Sequence, residues 1–192
     1  MDLAQLTWTV VPVLSALVAL GHAIIIVSLS AHVYDWFSNG SSAVTVWIGR
    51  HGLVLMFIVA ITAMLGSLYF SEISGWTPCK DCWLQRIFMY PQVVLLTLAL
   101  WKRDTKIAPY ILALCLIGMC FSAYHYFIQM QNIIASPTNP ATPCDASGVS
   151  CVKTPFVEFG YITIPLMAFT GFLLNAVGAA SIMKVDRRSA CS

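Results

Sequence analysis

The chain keeps its charged residues out of five long blocks, and nothing else in it restricts the fold so strongly. No Asp, Glu, Lys or Arg occurs from Leu3 to Tyr34, His51 to Ser71, Ile87 to Trp101, Ile107 to Cys144, or Phe159 to Met183. A membrane-spanning helix needs about 20 predominantly apolar residues. Four blocks meet that length, and the Ile87–Trp101 block meets it by including the turn Trp83–Arg86. Only 9% of the 192 residues are charged, against about 25% in a soluble domain. The chain therefore reads as an all-α polytopic membrane protein with five spans: Val10–Ala31, Gly52–Ser71, Trp83–Leu100, Ile107–Tyr126 and Tyr161–Met183.

Orientation follows from the Lys and Arg in the short connections. Arg50, Lys102, Arg103, Lys106, Lys184, Arg187 and Arg188 fall on one side, which becomes the cytoplasm. Lys80, Arg86 and Lys153 fall on the other, seven against three. Thr77–Cys82 and the long segment Gln131–Glu158 then face the exported side. The first apolar segment lacks a basic n-region and exceeds a signal-peptide core. Cleaving it would also turn the basic loops outward, so it is kept as a span with its N-terminus outside. The basic residues act as topological signals, which leaves no patch for nucleic acid. His22, in the middle of the first span, reads as a hydrogen-bonded interior residue. Pro91 and Pro165 read as kinks in their spans.

This topology sorts the seven cysteines. Cys115 and Cys120 fall inside the fourth span as small apolar residues, and Cys191 lies in the cytoplasmic tail as a free thiol. Cys79, Cys82, Cys144 and Cys151 lie on the oxidising side, an even set that suits two disulfides. A CxxC ring is small, so it makes a weak staple and a good redox switch. Cys144 and Cys151 sit in "ASPTNPATPCDASGVSC", whose turn-forming residues predict a mobile loop. Two inert staples or a four-thiolate zinc site remain as alternatives, though six intervening residues are many for a zinc knuckle.

In "TPCKDCWLQRIF", Cys82 falls at the start of the third span, where unpaired N–H groups and the helix dipole favour an anion. That position predicts a thiolate. Arg86 follows one turn deeper on the same face, with its guanidinium able to reach back to the sulfur or to snorkel to the headgroups. Glu72 is a candidate partner for Arg86. A thiolate and a cation at this depth suit a lipid-soluble electron acceptor, since the sequence carries no nucleotide, haem or iron–sulfur signature. A membrane quinone fits.

"CKDCWLQR", the charge-poor helix after it, "YHYF" at Tyr124–Phe127, the later cysteine pair and "FGYITIPLMAF" resemble the DsbB family of disulfide-bond formation proteins, with its Gram-positive BdbC-type relatives, over His51–Met183. The resemblance implies a four-helix bundle, here over residues 46–186, carrying one additional N-terminal helix in 1–45 and a tail in 187–192. It implies a bacterial inner-membrane enzyme that reoxidises a DsbA-like thioredoxin-fold dithiol oxidase and passes electrons to ubiquinone or menaquinone. Cys144 would meet the partner, Cys151 would attack Cys79, and Cys82 would face the quinone. Arg86, His125 and Gln85 would contact the quinone, although an aromatic-flanked histidine such as His125 also suits a membrane interface. Vitamin K epoxide reductase-like chemistry and a non-enzymatic tetraspan protein with structural disulfides are the rivals.

Overall fold

The computed structural model describes residues 3–38, 40–135 and 148–189. Five helices are long and apolar enough to cross a membrane: α1 (Leu3–Ser38), α2 (Ala43–Leu68), α3 (Lys80–Lys102), α4 (Ala108–Ala135) and α5 (Ile164–Ser189). The five expected spans are all present, and each runs beyond its charge-free centre because backbone bonding continues until a cap or turn stops it. Ser42 caps α2 by accepting from the Thr45 N–H at 3.3 Å. Arg103 ends α3 in the left-handed conformation, with φ of 53°, a common helix terminator. The last span starts later than expected, at Ile164, because Phe159 and Gly160 both take positive φ to make a tight turn. Pro165 then occupies the first turn of α5, where a missing N–H costs nothing, so it starts that helix instead of kinking it.

Helices α2, α3, α4 and α5 pack as a ring, and α1 lies outside it against α5 and α2. The shared core joins Met56 and Ala60 of α2, Leu96 of α3, Ile111 of α4, and Phe172 and Ile182 of α5. Lipid is as apolar as these side chains, so close packing and interhelical hydrogen bonds hold such a bundle together. One buried polar knot does this directly. The Asn175 amide donates to Gln92 Oε1 at 2.9 Å, and the Cys115 thiol donates to the same oxygen at 3.5 Å, tying α3, α4 and α5. Cys115 is thus a packed interior thiol, while Cys120 is exposed and free.

Close approach needs glycine at particular points. A Cβ at Gly118 would sit 2.5–2.7 Å from the Phe172 ring, and Phe172 is itself enclosed. Gly118→Ala should therefore cost about 1–3 kcal/mol by overpacking, read as a lower melting temperature of the detergent-solubilised protein.

The seam by which α1 docks is narrow: Val11, Ser15, Gly21, Ile25, Ser28 and Asp35 are its buried positions. Polar bonds fix it along its length. Thr7 Oγ1 meets Ser74 Oγ at 3.0 Å near the N-terminal end of α1. His22 bonds Thr170 Oγ1 at 3.0 Å and lies 3.3 Å from the Tyr161 hydroxyl. His22 is therefore a hydrogen-bonded interior residue, as expected. Near the other end the buried Asp35 carboxylate pairs with Lys184 at 2.9 Å and accepts from the Ser42 N–H.

Candidate active site

The connection from α2 to α3 brings the first cysteines to the outer end of the ring. Beyond Leu68 the helix widens into a π turn over Tyr69–Ile73, a form that recurs at functional sites. Gly75, with φ of 69°, turns the chain, and Phe70, Trp76 and Phe156 stack at centroid distances of 5.1–5.9 Å to hold the turn down. Cys79 is the N-cap of α3, with φ −75° and ψ 174°. Cys82 consequently lies in the first helical turn, as the sequence suggests.

Both thiols are free, and their sulfurs are 3.1 Å apart. Cys79 is only 4% exposed. His125 of α4, almost fully buried, lies between this pair and the returning loop. Its Nε2 is 3.7 Å from Cys79 Sγ and donates to the Cys151 carbonyl at 2.9 Å, while the Gln85 amide donates to Nδ1 at 3.0 Å. A carbonyl only accepts and an amide N–H only donates, so the pattern assigns the ring proton to Nε2. Gln129, one turn beyond His125, donates to the Cys151 and Lys153 carbonyls at 3.4 Å each. Cys151 is buried and disulfide-bonded. Cys144, the expected partner, lies outside the described residues, as does Cys191.

The Cys79 thiol is held down to about 4, far below its ordinary value. The hydrogen bond from the Cys82 thiol lowers it most, burial opposes that, and the hydrogen bond from His125 lowers it further. With both thiols reduced, the contact of His125 with Cys79 favours the negative charge there, with Cys82 placed to donate to it. The thiolate expected on Cys82 belongs to a state in which Cys79 is engaged elsewhere.

Arg86 neither reaches back to Cys82 for a hydrogen bond nor snorkels. Its Nε and Nη2 donate to the Ser67 hydroxyl and carbonyl at 3.0 and 2.9 Å. The guanidinium carbon lies 5.1 Å from the Trp83 ring and 5.9 Å from that of Tyr90. Ser67 wins because it stands just before the widened turn, where its hydroxyl and carbonyl together match the guanidinium fork. Glu72 accepts from the Ser71 hydroxyl at 2.9 Å and does not pair with Arg86.

A cavity of about 400 Å³ begins at Cys79, Cys82, Gln85, Arg86 and His125 and continues between apolar residues including Val59, Ala63, Met167 and Gly171. That volume lies in the usual range for small-molecule sites. One polar end and a long apolar body fit a polar ring that bears a hydrocarbon tail. The Cys79, Cys82 and His125 ligand atoms lie within 4.8 Å of one another. A metal at that point would have to take the Nε2 position that carries the proton for Cys151.

Gln129 and Ser67 were not evident from the sequence. Gln129 had a weak signal, four residues after His125 on one helix face, whereas Ser67 had none.

The family model for the disulfide bond formation protein DsbB matches residues 49–182. A probable disulfide formation protein C from Halalkalibacterium halodurans is 45% identical over 130 residues, which cover 67% of this chain and 90% of the relative. Disulfide bond formation protein C of Bacillus subtilis is 43% identical over 122 residues, 64% of this chain and 85% of the relative. The SPbeta prophage-derived disulfide bond formation protein B of the same species is 34% identical over 132 residues, 68% and 85% of the two chains. No solved structure matches the chain. A family model spanning most of the chain, over helices that bring a CxxC pair, a buried histidine and a third cysteine to one end of a membrane bundle, leaves one assignment: the chain belongs to the DsbB family of disulfide bond formation proteins.

Proposed function

We propose that the protein is a thiol:quinone oxidoreductase of the bacterial cytoplasmic membrane, with its redox loops on the exported side. It would take two electrons from a DsbA-like thioredoxin-fold dithiol oxidase and deliver them to ubiquinone or menaquinone. The observation that carries this reading is the position of His125, which touches Cys79 Sγ and the Cys151 carbonyl at the mouth of the cavity. Two redox pairs separated in sequence thereby share one buried contact.

The relay balances as thiol–disulfide exchange. The partner's thiolate attacks Cys144 and breaks its bond to Cys151; the partner's second thiol then displaces Cys144, leaving the partner oxidised and both loop cysteines reduced. Cys151 attacks Cys79, which breaks the Cys79–Cys82 bond and frees Cys82 as a thiolate at the cavity. Cys144 then reclaims Cys151, and Cys79 leaves as the anion favoured by its surroundings. Cys82 takes up one of the two protons released by the partner dithiol. Cys79 and Cys82 then close their disulfide as two electrons and that proton leave the pair, the second proton coming from solvent. Bound quinone supplies the acceptor for those two electrons and two protons.

Each of this chain's residues has a task in that scheme. His125 holds a proton at Nε2 between Cys79 and the Cys151 carbonyl, so it can favour the Cys79 anion as leaving group and position the Cys151 loop. Gln85 fixes the His125 tautomer. Arg86, held by Ser67 and the Trp83 and Tyr90 rings, keeps a positive charge beside the cavity without spending it on a carboxylate. Such a preorganised charge stabilises negative charge developing nearby.

Purified protein should convert added quinone to quinol when given a reduced thioredoxin-fold dithiol. A partner variant lacking its second cysteine should accumulate a mixed disulfide with Cys144, with Cys151 as the displaced thiolate, visible as a reducible band absent with the intact partner. An inert wild-type protein with no trapped species in the variant sinks the reading.

A further inference from the structure

The first helix lies outside the residues that match the family, yet it forms part of the cavity. Leu14, Leu17, Val18, Leu20, Gly21 and Ile24 of α1 line the same space as Cys82 and Arg86. The opposite walls belong to α2 and α5, and small residues make room there: Ala63, Gly66, Ala168 and Gly171 all face the space. Gly21 lets α1 come close, since a Cβ there would stand 3.1 Å from Thr170 and 3.2 Å from Leu174. Leu14 lies over Gly66, where an added Cβ would meet it at 3.4 Å.

The three walls agree on depth. Leu14 to Ile24 on α1 and Ile164 to Leu174 on α5 each span ten residues, and Ser67 to Ile58 on α2 spans nine. At a helical rise of 1.5 Å per residue these are all about 15 Å. The space thus runs from the polar rim to about the middle of a hydrocarbon layer roughly 30 Å thick. Its charged and strongly polar groups lie at the outer end, and its deeper walls are apolar apart from Thr62 and Thr170.

We propose that α1 is the third wall of a groove for the polyprenyl tail of the quinone, and that Leu14, Leu17, Val18 and Gly21 determine which tails it accepts. This rests on the reading of Cys82 and Arg86 as the ring end. Without α1, the α2–α5 face would open sideways to lipid. With it, the tail is gripped on three sides and the ring end is fixed by continuity with the tail. The polar bonds from Thr7, His22 and Asp35 keep the wall seated, which makes those three positioning residues for the groove.

The test compares full-length wild type with Leu17→Trp, a position still 49% exposed and therefore able to take a larger ring without repacking the seam. Quinone binding is read as quenching of tryptophan fluorescence, using a polyprenylated quinone and its tailless analogue. The variant should weaken the polyprenylated compound about tenfold, equivalent to about 1.4 kcal/mol, and leave the tailless one within about twofold. A prenylated quinone with a photoreactive group on its tail should label wild-type α1 between Leu14 and Ile24. Label confined to α2 and α5, or equal effects of the variant on both quinones, overturns the α1 wall alone. If the wild type binds neither quinone, the ring site falls as well.

Discussion

Replacing Cys82 with serine will reduce dithiol-driven quinol formation by roughly a thousandfold or more, as loss of a covalent catalytic group does elsewhere, while leaving the bundle intact. The substitution is informative because serine keeps one property of Cys82 and removes another. Its hydroxyl can still donate to Cys79 across the short distance that separates the two sulfurs, 3.1 Å in the native pair. It cannot form a disulfide or leave as a soft anion. Loss of turnover with an unchanged melting temperature and an unchanged Cys79 titration would place the defect in electron transfer. Retained turnover would remove Cys82 from the relay.

The second large effect concerns the Cys79 anion. Its ordinary value is 9.0 and its value here is about 4. Between these limits the folded, reduced protein binds fewer protons at this sulfur than the unfolded chain does. The contribution of this sulfur to the stability of the reduced fold is therefore complete above about 9, declines as pH falls, and is absent below about 4. Stabilising the dithiol also makes the corresponding disulfide a stronger oxidant, by about 30 mV for each tenfold change. Difference absorbance of the thiolate against Cys79→Ser should titrate near 4 in the wild type. Cys82→Ala should raise that midpoint more than His125→Ala, because the Cys82 hydrogen bond is the larger cause. His125→Ala should lower the Cys79–Cys82 reduction potential by about 30 mV or more. A wild-type titration near 9 would contradict the geometry.

The membrane architecture was legible because a charge in hydrocarbon is expensive: blocks without Asp, Glu, Lys or Arg mark spans regardless of how the helices later pack. The CxxC position was legible for a similar reason, since the charge-poor run of the third span begins just after Cys82. Arg86 shows where such reading stops. Its helical spacing from Cys82 was correct, but its actual partner is Ser67 on another helix, exposed to it by a local widening that no residue pattern marks. The charge on the CxxC pair depends on more than the helix end. Helix-end electrostatics pointed to Cys82, whereas a histidine 46 positions away in sequence shares Cys79. The late start of α5 was hidden because Phe159 is not a residue that signals positive φ.

The ion pair near the C-terminal end of α1 has a consequence for biogenesis. Asp35 and Lys184 are 149 residues apart, so a ribosome releases the acid long before its base exists. Throughout synthesis of the ring helices, α1 lacks the cation that pairs with Asp35 in the finished fold. Chains halted before Lys184 would keep that carboxylate without its native ion pair.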